Sequence, residues 1–180
     1  MIVVGLDLSL TSTGAARIYT FEHEPPAVLC DRVVSTGKKD ASLDDRWERL
    51  RHLRDDIADL TKAADLVVVE GPSYGSQTGS QHDRSGLWWL VVATLHRNGI
   101  DTVEVPPSTR MRYATGKGQA GKDVVLSNVV RRYPNVIVET NDEADALVLA
   151  AMGARHLGAP IEPDLPKTHL AAMDAVRWPN

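Results

Sequence analysis

Four acidic residues stand where carboxyl groups are hard to explain singly and easy to explain together: Asp7, Glu70, Asp142 and Asp145. Asp7 ends the apolar run Ile2-Val3-Val4-Gly5-Leu6, and a strand buried on both faces has little use for an acid. Glu70 directly follows Val67-Val68-Val69 and precedes Gly71-Pro72. Asp142 and Asp145 are spaced i, i+3, so they share one face of a helix starting near Asn141, while Glu143 points elsewhere. Each has a structural explanation: Asp7 as the cap of the turn from Ser9 to Thr13, Glu70 as a solvated residue past its strand, and the Asp pair as partners of a helix macrodipole. As a set, two acids at strand ends and two on one helical face can meet at one end of a sheet. Ionised carboxylates crowded together raise each other's pKa, and burying them unpaired costs on the order of several kcal/mol per ion. Hard cations resolve that conflict, and Mg²⁺ takes a few carboxylates with water and phosphate, needing no His or Cys.

The elements that must position these acids are legible in the apolar spacing. Ile2 to Leu8, Gly14 to Thr20 and Ala27 to Ser35 read as three strands with short links, an antiparallel meander. From Ser42 to Lys62, Trp47, Leu50, Leu53, Ile57 and Leu60 recur at helical spacing behind Ser42 as N-cap. Leu66 to Val69 is a strand and Asp101 to Val105 another, stopped by Pro106 and Pro107, after which Ser108 caps a short helix. Leu87 to Arg97, Lys122 to Tyr133 and Asp142 to Leu157 read as further helices, the last rich in Ala and able to approach a sheet closely. Trp88 and Trp89 on the first of these suit either a dimer seam or the core. The stretch from Ser73 to Gly86 is polar and Gly-rich, a loop. This order predicts an α/β layer fold, a mixed five-stranded sheet flanked by helices on both faces. Residues 1 to 157 form one domain, and residues 158 to 180, marked by Pro160, Pro163 and Pro166, an extended tail with one short helix.

The chain of 180 residues carries a formal charge of -4, which does not itself announce a polyanion partner. The positive charge is local: between Ser108 and Arg132 lie Arg110, Arg112, Lys117, Lys122, Arg131 and Arg132 against the single acid Asp123. The glycine loop within it, Gly116 to Gly121, is not a P-loop, since neither Lys117 nor Lys122 is followed by Ser or Thr. Six scattered histidines show no metal-ligand spacing, and the lone Cys30 excludes a disulfide within the chain. No apolar run reaches membrane-spanning length and the N-terminus lacks the pattern of a signal peptide, so a cytoplasmic location is expected.

Gly5-Leu6-Asp7 followed by Thr13-Gly14, Val69-Glu70, Thr115-Gly116-Lys117-Gly118-Gln119-Ala120-Gly121-Lys122 and Asp142-Glu143-Ala144-Asp145-Ala146-Leu147 resemble, in order and spacing, the RuvC-type Holliday junction resolvases of the RNase H-like superfamily. The resemblance covers about residues 1 to 157. It implies an RNase H-like fold, a homodimer, and paired phosphodiester cuts in a four-way DNA junction with Mg²⁺ or Mn²⁺, two ions per site. Asp7, Glu70, Asp142 and Asp145 fall at the family's metal-binding positions and Lys122 at its lysine near the scissile phosphate. The implied chemistry is two-metal hydrolysis. Arg110, Arg112 and Lys117 would hold flanking phosphates, and Tyr74 would stack on an unpaired base. The chain departs from the family pattern at Leu8, where proline is usual, at Met111, where lysine is usual with Arg110 and Arg112 now flanking, and at Ser73, where an aromatic is usual beside Tyr74.

Three other functions are compatible with these residues. Asp7-Leu8-Ser9 with Thr11 to Gly14 also resembles the phosphate-binding turn of actin-type and sugar-kinase ATP-binding domains, though those close two lobes and this chain supplies one. A junction-binding protein without catalysis is another, disfavoured by acids at all four positions. A broader nuclease of branched DNA or RNA is the third.

Overall fold

The computed structural model describes residues 1–72, 80–162 and 164–179. The apolar runs become a single five-stranded sheet of β1 (Ile2–Asp7), β2 (Ser12–Tyr19), β3 (Ala27–Val34), β4 (Leu66–Glu70) and β5 (Asp101–Val105), in the order β3-β2-β1-β4-β5. The meander β1-β2-β3 is antiparallel, whereas β4 and β5 run parallel to β1. Register sets the site: Leu6 pairs with Val69, so the next residues, Asp7 and Glu70, leave adjacent parallel strands side by side. Asp7 also pairs with Gly14 across the β1-β2 ladder.

Side chains alternate across the central strands as the two-residue period demands. Val4, Leu6, Val67 and Val69 pack with Leu53, Ile57, Leu87, Val91 and Leu95 from α1 (Leu43–Thr61) and α2 (Gln81–Arg97). Val3, Ala16, Ile18, Leu66 and Val68 face the other way, onto α5 (Asn141–His156) and its neighbours α3 (Pro107–Thr115) and α4 (Lys122–Arg132). Helices thus cover both faces. The alanines of α5 let it lie close on the sheet, and two strand glycines complete the fit. A β-carbon at Gly5 would run into the carbonyl oxygen of Ala146, and one at Gly14 into that of Asp142.

Local differences from the sequence expectation have identifiable causes. The helix expected from Leu87 begins at Gln81, because its polar first turn is docked on α1 by the Arg46–Asp83 ion pair, an anchor that apolar spacing does not report. Ser108 does not cap α3; Pro106 is the N-cap and Pro107 the first helical residue, a position that suits a residue without a backbone N–H. Thr140 caps α5 with Glu143 as its capping-box partner, so Glu143 is turned away from the acid cluster, as its spacing predicts. The tail carries α6 (Lys167–Leu170) and packs back on the domain. Glu162 is buried and accepts a hydrogen bond from the Tyr113 hydroxyl, His169 sits against the Tyr113 carbonyl, and Trp178 stacks on His156. No helix among the described residues is long and apolar enough to cross a membrane.

Candidate active site

The carboxyl edge of β1 and β4 and the first turns of α5 enclose one acidic locus. Asp7, Glu70 and Asp142 line a cavity of about 550 Å³ together with Arg84, Trp88 and Trp89. The turn after β1 is closed by Thr13, not Asp7: the Ser9 amide donates to Thr13 Oγ1, 3.0 Å, and that hydroxyl donates back to the Ser9 carbonyl, 2.8 Å. Asp7 is therefore not needed as a turn cap. The same bonds engage Ser9 and Thr13, two members of the turn that resembles an ATP-binding one. Glu70 is not a solvated residue past its strand either, since its side chain is only 14% exposed. Its backbone is also pinned, because Trp88 Nε1 donates to the Glu70 carbonyl at 2.9 Å.

Asp145, one helical turn into α5, lies deeper than Asp142 and is buried. Between it and Glu70 stands Arg110 of α3. Arg110 Nε donates to Glu70 Oε1 at 2.6 Å and its Nη1 donates to Asp145 Oδ1. This corrects the expectation that Arg110 reaches flanking phosphates: its side chain is 7% exposed and spent on two carboxylates. Burial opposes the guanidinium charge, but Glu70 and Asp145 outweigh it and hold its pKa above the ordinary value. Asp7 has the reverse balance. Burial, then the negative charges of Glu70 and Asp145, raise its carboxyl well above the ordinary 3.8 despite Arg110.

The remaining basic residues divide. Arg112 and Lys117 are exposed, with Arg112 reaching toward the glycine loop at Gly118. Arg132 is structural, donating to the carbonyls of Tyr113 and Ala114. Lys122 opens α4, but its side chain lies outside the described residues, as does Tyr74 altogether. Sequence reasoning missed two participants, Trp88 and the inward role of Arg110. The second had a signal: Tyr113 and Ala114, at i+3 and i+4 from Arg110, are apolar and buried, so the helix phase turns Arg110 inward.

Asp7, Glu70 and Asp142 offer this cavity carboxylate oxygens, a donor set that suits Mg²⁺ or Mn²⁺. As they stand, no three His, Cys, Asp or Glu side chains among the described residues are arranged to hold a metal ion. Arg110 engages only Glu70 and Asp145, and the cavity, which Arg84 and Glu104 also line, has room for a hydrated cation beside Asp7, Glu70 and Asp142. In donor chemistry, though not in their present arrangement, Asp7, Glu70 and Asp142 suit a divalent ion on the cavity side, while Arg110 is the cation of the inner side.

No protein-family model matches the chain. The crossover junction endodeoxyribonuclease RuvC of Synechococcus sp. (strain WH7803) is 30% identical over 162 residues, which cover 85% of this chain and 97% of that relative. The chain belongs to the RuvC family. Thermus thermophilus RuvC, at 17% identity, superposes on this RuvC-family chain with a TM-score of 0.69 over 91% of its residues and 100% of its own. The same protein in complex with Holliday junction substrate gives 0.67 over 92% and 99%, at 16% identity. The fold is RNase H-like, with a mixed five-stranded sheet, as the motif order implies.

Proposed function

We propose that this chain is a divalent-metal-dependent endonuclease that resolves four-way DNA junctions by paired phosphodiester hydrolysis, working as a homodimer in the cytoplasm. The observation that carries the reading is the meeting of Asp7 and Glu70, 63 residues apart in sequence, with Asp142 on one cavity in a RuvC-family chain. Asp7, Glu70 and Asp142 hold Mg²⁺ or Mn²⁺, and Asp145 supports them from below. A divalent ion bound there supplies Lewis-acid polarisation of the phosphate and a water of lowered pKa. The protein fixes the geometry: the β1-β4 register sets Asp7 beside Glu70, Trp88 holds the Glu70 backbone, and Gly14 admits the start of α5. Lys122 adds positive charge near the scissile phosphate, Arg112 and Lys117 hold flanking phosphates, and Tyr74 stacks on an unpaired base.

The test is cleavage of a synthetic four-way junction beside a fork, a plain duplex and an RNA–DNA hybrid, with and without Mg²⁺, for wild type and Asp7→Asn. Symmetric paired nicks confined to the junction, dependent on Mg²⁺ and lost in Asp7→Asn, are expected. Cutting of forks or hybrids at equal rates would make the enzyme a broader branched-substrate nuclease, and junction binding without cuts would make it a non-catalytic binder.

A further inference from the structure

The resemblance implies two divalent ions per site, yet a cation built into the chain already occupies the inner half. We propose that Arg110 takes the place of one of those ions, so that each chain binds a single divalent cation, on the cavity side of Asp7, Glu70 and Asp142. The inference rests on the metal-dependent reading above and concerns its stoichiometry.

Three observations carry it. The guanidinium bridges two carboxylates from different elements, Glu70 at the end of β4 and Asp145 in α5, as a shared ion would. All three side chains of that bridge are largely shielded from water, at 7%, 14% and 10% exposure, so the charges there act through little screening. The helix that carries Arg110 is itself anchored. Tyr113, one turn along α3, is fully buried, its hydroxyl is bonded to Glu162, and its carbonyl receives Arg132. An arginine presents its donors in a flat fork of fixed charge that cannot be titrated away, which suits a permanent counter-ion. Arg110 Nε takes up only Oε1 of Glu70, and Asp7, whose carboxyl is hydrogen-bonded to that of Glu70, lines the cavity with Glu70 and Asp142. A second doubly charged ion on the inner side would have to bind against the guanidinium or expel it. Arg110 is in this sense a positioning residue: it touches the metal-binding acids, not the DNA.

Manganese alone, without DNA, is the probe. Bound Mn²⁺ per chain is counted by equilibrium dialysis with electron paramagnetic resonance of the free ion, for wild type, Arg110→Lys and Arg110→Gln. One ion is expected for wild type and for Arg110→Lys, which keeps the charge, and two for Arg110→Gln, whose thermal stability Mn²⁺ should raise more than it raises that of wild type. If Arg110→Gln fails to fold, the counts for wild type and Arg110→Lys decide. Wild type binding two ions, or none, overturns the proposal, and so does a folded Arg110→Gln that binds one. Junction cleavage run in parallel separates the outcomes: Mn²⁺-dependent paired nicks with two bound ions leave the nuclease reading intact and remove only the role given to Arg110.

Discussion

Replacing Gly14 with alanine tests whether the acids act through a geometry that the backbone enforces. The added β-carbon would overlap the carbonyl oxygen and carbon of Asp142 and lie 3.1 Å from the Glu143 amide nitrogen, all backbone atoms at the start of α5. Carbon and oxygen rest at about 3.5 Å, so β2 and the helix start must part by on the order of 1 Å. Overpacking of this kind costs about 1–3 kcal/mol. For a chain of this size that lowers Tm by roughly 2–12 °C. The displaced group is the backbone that carries Asp142 opposite Asp7, and a misplacement of about 1 Å costs roughly a hundredfold in rate. The assay is single-turnover cleavage of a four-way junction at saturating Mg²⁺, with thermal melts and junction binding measured alongside. A large loss of rate is expected, with binding retained because Arg112 and Lys117 lie on other elements. Wild-type cleavage by a Gly14→Ala protein with a lowered Tm would show that the approach of α5 to β2 does not set the chemistry.

Three further outcomes follow from the same contacts. Because the Asp7 pKa is raised, the ion-free folded chain binds more protons than the unfolded one above the ordinary value of 3.8. Its contribution to stability therefore falls as pH climbs from there through the raised value, so in EDTA at neutral pH Asp7→Asn should melt higher than wild type. A lower melting temperature for the variant would contradict the burial argument. Glu162→Ala removes the acceptor of the buried Tyr113 hydroxyl and the partner of Arg155, and should cost about 3 kcal/mol in urea denaturation. Cys30, whose thiol is pushed up to about 12 by burial, then by Glu143 and Asp31, should alkylate roughly a thousandfold more slowly than a free thiol at pH 8, and recover ordinary reactivity in denaturant.

Which parts of this arrangement could be read from the chain depends on what kind of force made them. The five strands and the acids at their ends were legible because a buried strand announces itself by uninterrupted Val, Leu and Ile, and Asp7 and Glu70 break that pattern at its edge. The place of Asp142 and Asp145 in the first turns of one helix was legible from the helical period. Arg110 was misread because its charge and its neighbours in the basic segment suggested phosphate, while its burial depends on carboxylates that are 35 and 40 residues away. The start of α2 was placed too late for a related reason: Arg46 and Asp83 stabilise it across 37 residues, and no local propensity records that. The packing of the tail was hidden in the same way, in single contacts such as Glu162 with Tyr113 and Trp178 with His156, which have no period.

The central helix α5 lies against β1, β2 and β4 and is buried from Glu143 to Ala154, while its first turns bear Asp142 and Asp145. Segments buried in this way open only when the whole molecule does. Partial fraying that leaves the rest intact should therefore not scatter this end of the acid cluster, and the backbone amides of α5 should rank among the slowest in the protein to exchange with deuterium. Asp142 and Asp145 are thus tied to the most deeply packed helix of the fold, so a molecule that retains its native state also retains those carboxylates in register.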